Sequence, residues 1–181
     1  QRQMCIRDSK EMMYTALLSG VPFAIRYPRG RGIGADWSGG FRRMEIGRGI
    51  TLRGGKDVAV LAIGTVTNDA LKAAVQAEKE GISAEVVSLR FAKPLDTAIL
   101  HDVGRRFRRI ITVEDGTVEG GVGSAVAEFI SANGYTAEVV RLGIPDTFIH
   151  HGTIAELKRI CGYDTEGILT AIRKAAGREK A

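Results

Sequence analysis

Cysteine is scarce in this chain of 181 residues: only Cys5 and Cys161 occur, far apart in sequence, and neither belongs to a CxxC or Cys/His metal spacing. A disulfide framework and a zinc module are excluded, and a reducing cytoplasm is the simplest setting. Long apolar runs are missing too, since none approaches the roughly 18 residues that cross a bilayer. The amino terminus lacks the ordered charged, apolar and small-residue regions of a signal peptide. The expectation is a cytoplasmic protein with no membrane partner. Aromatic residues make up 6% of the chain, so the ladder of rings on which single-stranded bases stack is absent. The histidines, His101, His150 and His151, do not fall in HxxxH spacing, and no metal site is expected from them. No serine sits in a GxSxG elbow and no cysteine has a histidine partner in a known arrangement, which leaves no catalytic residue to name.

What is present is a core-forming composition, 44% apolar, in a chain long enough for one ordinary domain and some extra. The formal net charge is +5. Much of that excess lies in one stretch, at Arg26, Arg29, Arg31, Arg42, Arg43, Arg48 and Arg53, interleaved with glycine. Without aromatic residues between them, these arginines suit a solvated surface or a small phosphorylated ligand, and no nucleic-acid partner is expected.

Periodicity divides the chain. Residues 1–7 show none and are set aside as a tag or artefact. From Ser9, a candidate N-cap, Met12, Met13, Ala16 and Leu17 share a helical face until Gly20 and Pro22 stop it, and a strand over 23–27 follows, so 8–30 reads as the end of one domain. Residues 31–56 hold many glycines, Trp37 and a weak strand signal at 44–46, and read as a linker. Across 57–181, compact apolar strands at 58–63, 84–89, 109–113 and 137–142 alternate with helices at 68–80, 97–107 and 123–132, and two further helices, 154–160 and 166–176, close the chain. Strands that are apolar throughout and joined by single helices require a mostly parallel sheet covered on both faces. The predicted fold class is α/β, a doubly wound sheet of about five strands.

Two local motifs stand out. Arg26-Tyr27-Pro28-Arg29-Gly30 follows the expected strand at the end where parallel sheets hold their ligands, and two guanidiniums at this spacing suit a phosphate. Surface or interface arginines after a strand end fit the same spacing, and both readings stay open. Gly120-Gly121-Val122-Gly123-Ser124 follows a strand and opens a helix, where backbone amides are able to meet an anion. The dinucleotide pattern needs a glycine where Val126 stands, and Glu114, Asp115 and Glu119 would repel a phosphate. Tight strand-to-helix packing is therefore the preferred reading of these glycines. Further on, Thr153 is expected to cap the next helix.

Several blocks occur together in order: Ala24-Ile25-Arg26-Tyr27-Pro28-Arg29-Gly30, Glu45-Ile46-Gly47-Arg48-Gly49, Ala62-Ile63-Gly64-Thr65, Leu89-Arg90-Phe91-Ala92-Lys93-Pro94-Leu95-Asp96, Thr112-Val113-Glu114-Asp115, the glycine stretch above, and Leu142-Gly143-Ile144-Pro145-Asp146-Thr147-Phe148-Ile149 with His151-Gly152. This succession resembles the 1-deoxy-D-xylulose-5-phosphate synthases of the transketolase-like family. The resemblance implies a transferase that condenses pyruvate with D-glyceraldehyde 3-phosphate to 1-deoxy-D-xylulose 5-phosphate and CO2, feeding isoprenoid, thiamine and pyridoxal phosphate synthesis. It implies thiamine diphosphate and Mg2+ as cofactors of a full-length, homodimeric enzyme. It also makes 8–30 the last helix and strand of a pyrimidine-binding domain, and 57–181 the transketolase C-terminal domain. The Gly-Asp-Gly metal motif and the activating glutamate have no counterpart here, so this chain alone is expected to be inactive and to bind no cofactor. By likeness Arg26 holds the substrate phosphate, with Arg29 a second candidate. Two alternatives share the fold: a non-catalytic dimerisation or docking module, and a 2-oxo acid dehydrogenase beta subunit.

Overall fold

The computed structural model describes residues 4–27 and 39–178, with side chains from Asp8 onward. Arg29, Trp37 and the origin of residues 1–3 lie outside the described residues.

Five strands form one sheet: β1 (Ile50–Arg53), β2 (Val58–Ile63), β3 (Ala84–Ser88), β4 (Arg109–Thr117) and β5 (Glu138–Ile144). Their order is β1-β3-β2-β4-β5, with β1 antiparallel to β3 and the other neighbours parallel. The helices are α1 (Met4–Ser19), α2 (Thr67–Lys79), α3 (Thr97–Arg106), α4 (Val122–Ala132), α5 (Ile154–Ile160) and α6 (Thr165–Ala175).

The apolar run of β2 shows why the sheet is covered on both sides. Val58, Val60 and Ala62 join a core cluster with residues of α2 and α6, while Ala59 and Leu61 join a second cluster with residues of α3 and α4. Alternate side chains leave a strand on opposite faces, so a strand apolar at every position needs a helical layer on each. Helix stops follow ordinary chemistry. Gly81, at φ 75°, ends α2 in the left-handed conformation that glycine adopts without strain. Asp96 and Asp164 cap α3 and α6 by accepting from the amides of Ile99 and Gly167. Thr153 caps α5 in a reciprocal box with Glu156, as the sequence predicts. No residue of α5 is buried. It is tied instead by Lys158, whose Nζ donates to Asp69 of α2 at 2.8 Å.

Three expectations need correction. The first helix starts at Met4, ahead of the N-cap expected at Ser9. Residues 23–27 form no strand, because a strand needs a ladder partner and none pairs with them among the described residues. Residues 44–46 are not a strand either, and the chain turns at Ile46-Gly47. The strand lies further on, as β1, where glycines on both flanks hide a segment of four residues. Gly55 is needed at that crossing, since a Cβ there would lie 2.1 Å from the backbone nitrogen of Glu85.

Helix α1 is joined to the sheet by polar contacts. Arg90, just after β3 at φ 59°, forks onto Asp8 with two hydrogen bonds of 3.0 Å. Thr15 Oγ1 accepts from the Met44 amide at 2.8 Å. Phe23 meets the edge of Phe91 at 6.4 Å between ring centres. These contacts hold the segment leading to Arg26 over the carboxyl ends of the strands.

Candidate functional site

The topology singles out one switch point. From β2 the chain steps outward to β3, then crosses back to place β4 on the other side of β2. Between β2 and β4 the crossovers leave in opposite directions, and this switch point is where open α/β sheets take their ligands. The last registered pair there is Ile63 with Glu114, and Asp115 is the next residue of β4.

Glu114 is 6% exposed and turned toward α4. Its carboxylate accepts from the amides of Val122 at 2.9 Å and Gly123 at 2.8 Å. The glycines make room for it: a Cβ on Gly121 would come within 2.6 Å of both carboxylate oxygens, and one on Gly123 would stand 2.4 Å from Thr112 Oγ1. The packing reading of this stretch is the one the structure supports. The start of α4 does meet an anion, but that anion is the protein's own glutamate.

Asp115 faces the other way. Its Oδ1 accepts from the Tyr163 hydroxyl at 3.0 Å. The phenol is pushed well above its ordinary range, first by burial, then by the hydrogen bond to Asp115 and by that residue's charge, with Arg26 opposing. Arg26 Nη1 donates to the main-chain carbonyl of Asp115, and its Nη2 lies 3.8 Å from Oδ2. The Arg26 side chain is 77% exposed. It stands over the switch point, with a carboxylate beside it but open to solvent. Tyr163 carries no motif in the sequence, Asp115 stands in the Thr112-Val113-Glu114-Asp115 block with no sign of its partners, and only the folded chain brings the two to Arg26.

The remaining candidates separate. His101 Nδ1 is 2.8 Å from the Tyr135 hydroxyl and packs edge-on against Phe129, which is a structural role. His150 and His151 are exposed on the loop before α5. Among the described residues no group of three His, Cys, Asp or Glu side chains is placed to hold a metal ion. With the α4 amides taken by Glu114, these residues do not fit a metal-bound diphosphate. Among them no helix is long and apolar enough to cross a membrane.

A mostly parallel five-stranded sheet with helices on both faces defines an α/β domain, and the chain belongs to the transketolase C-terminal domain family, which it matches over residues 47–168. That match begins just before β1. Curated relatives named 1-deoxy-D-xylulose-5-phosphate synthase include one from Bacteroides thetaiotaomicron, 48% identical over 169 residues, which cover 92% of this chain and 26% of the relative. Another, from Aquifex aeolicus, is 44% identical over 93% of this chain and 27% of its own length. The chain thus spans about a quarter of the curated relatives it matches. Among solved structures, a split-gene transketolase described as an inactive beta4 tetramer aligns with TM-score 0.68 at 37% identity, over 77% of this chain and 44% of that one. The transketolase of Campylobacter jejuni aligns with TM-score 0.52 at 19% identity, over 70% and 18% of the two chains, and shares the fold alone.

Proposed function

We propose that this chain is part of a 1-deoxy-D-xylulose-5-phosphate synthase, in which Arg26 binds the phosphate of D-glyceraldehyde 3-phosphate while pyruvate supplies the carbon fragment joined to it. The carrying observation is the exposed guanidinium of Arg26 at the switch point, 77% accessible, in a chain 48% identical to a relative with that name. The name of the relatives favours this reading over a 2-oxo acid dehydrogenase beta subunit and over a docking module. In the proposal, residues 8–30 close a pyrimidine-binding domain, 31–56 cross to the final domain and contribute β1, and 57–181 complete it. Thiamine diphosphate and Mg2+ belong to other parts of a full-length enzyme, since the described residues offer them no cradle. The same reading makes that enzyme a cytoplasmic homodimer in isoprenoid precursor synthesis, and this chain inactive by itself. Arg29 is a second phosphate candidate on the same motif.

What Arg26 contributes is recognition of a dianion at a distance from the reacting carbonyl. A charged hydrogen bond contributes about 1.5 to 3 kcal/mol, and the openness of the site places Arg26 at the low end. In the full-length enzyme, Arg26→Ala should raise the KM for D-glyceraldehyde 3-phosphate roughly tenfold and leave the KM for pyruvate near its original value. An unchanged KM for the phosphorylated aldehyde removes Arg26 from the site.

A further inference from the structure

Arg26 is held at two points by one residue, and the two contacts differ in kind. The main-chain carbonyl of Asp115 accepts from Nη1 and orients the guanidinium without adding a charge. The carboxylate of Asp115 stands 3.8 Å from Nη2, beyond hydrogen-bond range, and presents a negative charge where a phosphate would arrive. Glu114 cannot take that part, because both its oxygens are bound to the amides of α4. Nor is the Asp115 carboxylate free to close on the guanidinium: Oδ1 accepts from Tyr163, a residue 3% exposed that belongs to the core cluster of α2 and α6. Segments 89 and 48 residues apart in sequence thus converge on Asp115, with the core phenol at one end and the solvent-facing guanidinium at the other.

We propose that Asp115, anchored by Tyr163, sets the phosphate affinity of the Arg26 site: its carbonyl aims the guanidinium and its carboxylate competes with the incoming dianion. This rests on the reading of Arg26 as the phosphate ligand. Asp115 is then a specificity residue and Tyr163 a positioning residue that acts through it. The Tyr163 hydrogen bond draws on the carboxylate and keeps it at a distance, so losing that bond strengthens the competition, whereas losing the charge ends it.

The test is steady-state kinetics of the full-length enzyme with D-glyceraldehyde 3-phosphate and pyruvate, and with unphosphorylated D-glyceraldehyde as the control acceptor. Asp115→Asn keeps the carbonyl and an acceptor for Tyr163 but removes the charge. The KM for the phosphorylated aldehyde, taken relative to that for pyruvate, should fall about two- to five-fold, the range of an exposed ion pair. Tyr163→Phe, which keeps the ring in the core, should move the same ratio upward, and the double variant should follow Asp115→Asn. Neither change should act on the unphosphorylated acceptor. A purely structural role would not produce opposite signs from two neighbouring variants. If Asp115→Asn leaves the ratio unchanged or raises it while Arg26→Ala still weakens the phosphorylated substrate, this inference is overturned and the reading of Arg26 survives. If Arg26→Ala is without effect, both are overturned. Should Asp115→Asn fail to fold, the Tyr163→Phe ratio decides, with no increase counting against the inference.

Discussion

Replacing Glu114 with alanine would take an anion from the start of α4 and leave the amides of Val122 and Gly123 facing a void. Both are now bound to its carboxylate, at 2.9 and 2.8 Å, and the glutamate is 6% exposed. Each hydrogen bond to a charged group contributes about 1.5 to 3 kcal/mol net. The favourable field of the helix start, about 0.3 to 2 kcal/mol, overlaps with these bonds because the same two amides carry its positive end. Against this stands the desolvation of a nearly buried carboxylate, which alanine no longer suffers. The expected net loss is about 2 to 4 kcal/mol, or a melting temperature lower by roughly 5 to 15 °C for a chain of this size. Urea unfolding followed by far-ultraviolet circular dichroism measures it as a shift of the midpoint at constant slope. Glu114→Gln should fall between the two, because it fills the same volume but offers one neutral oxygen to two donors. A Glu114→Ala midpoint within about 0.5 kcal/mol of the original would refute the reasoning, since the amides would then be satisfied equally well without the carboxylate.

Two further outcomes follow from the same corner of the fold and from α5. Gly123→Ala would place a methyl group 2.4 Å from Thr112 Oγ1, which is buried and has no hydrogen-bond partner among the described residues. It should cost about 1 to 3 kcal/mol in urea unfolding, and Thr112→Ala in the same chain should recover most of it, while additive losses would exclude the clash. At the start of α5, the Glu156 carboxylate is held below its ordinary value of 4.5 by hydrogen bonds from the Thr153 hydroxyl, then the Thr153 amide, with desolvation opposing. Because the folded value is the lower one, the cap's contribution is complete above about pH 4.5 and is lost as pH falls below it. The Thr153 amide resonance should therefore titrate below pH 4.5, and a midpoint at or above that value would contradict the box.

Most of the architecture was legible in the sequence, because a parallel strand buried on both faces writes itself as an unbroken apolar run. Residues 58–62 of β2 are all inaccessible to solvent, and the run is visible without coordinates. Helix ends were legible for a related reason: Gly81 and Thr153 act on backbone within a few residues of themselves. What escaped depends on partners distant in the chain. β1 is a strand because Ile50, Thr51 and Arg53 pair with β3 more than thirty residues later, and its own four residues carry little signal. The segment 23–27 has a strand's composition, yet composition cannot supply a ladder.

The acidic pair at the end of β4 shows the same limit within the site. As sequence, Glu114 and Asp115 are two equal charges that discourage a phosphate. In the fold, consecutive residues of a strand face opposite ways, so the two charges meet different surroundings. Glu114 is turned to α4, where two amides bind it and its charge serves the fold. Asp115 is turned to Tyr163 and Arg26, where its charge stays within 3.8 Å of the guanidinium. A rule that sums charge along the chain would treat the pair as one repulsive patch, yet only one of the two can act on a ligand at Arg26. Removing Glu114 should therefore appear in stability and removing the charge of Asp115 in substrate affinity, and that separation follows from a one-residue step along β4.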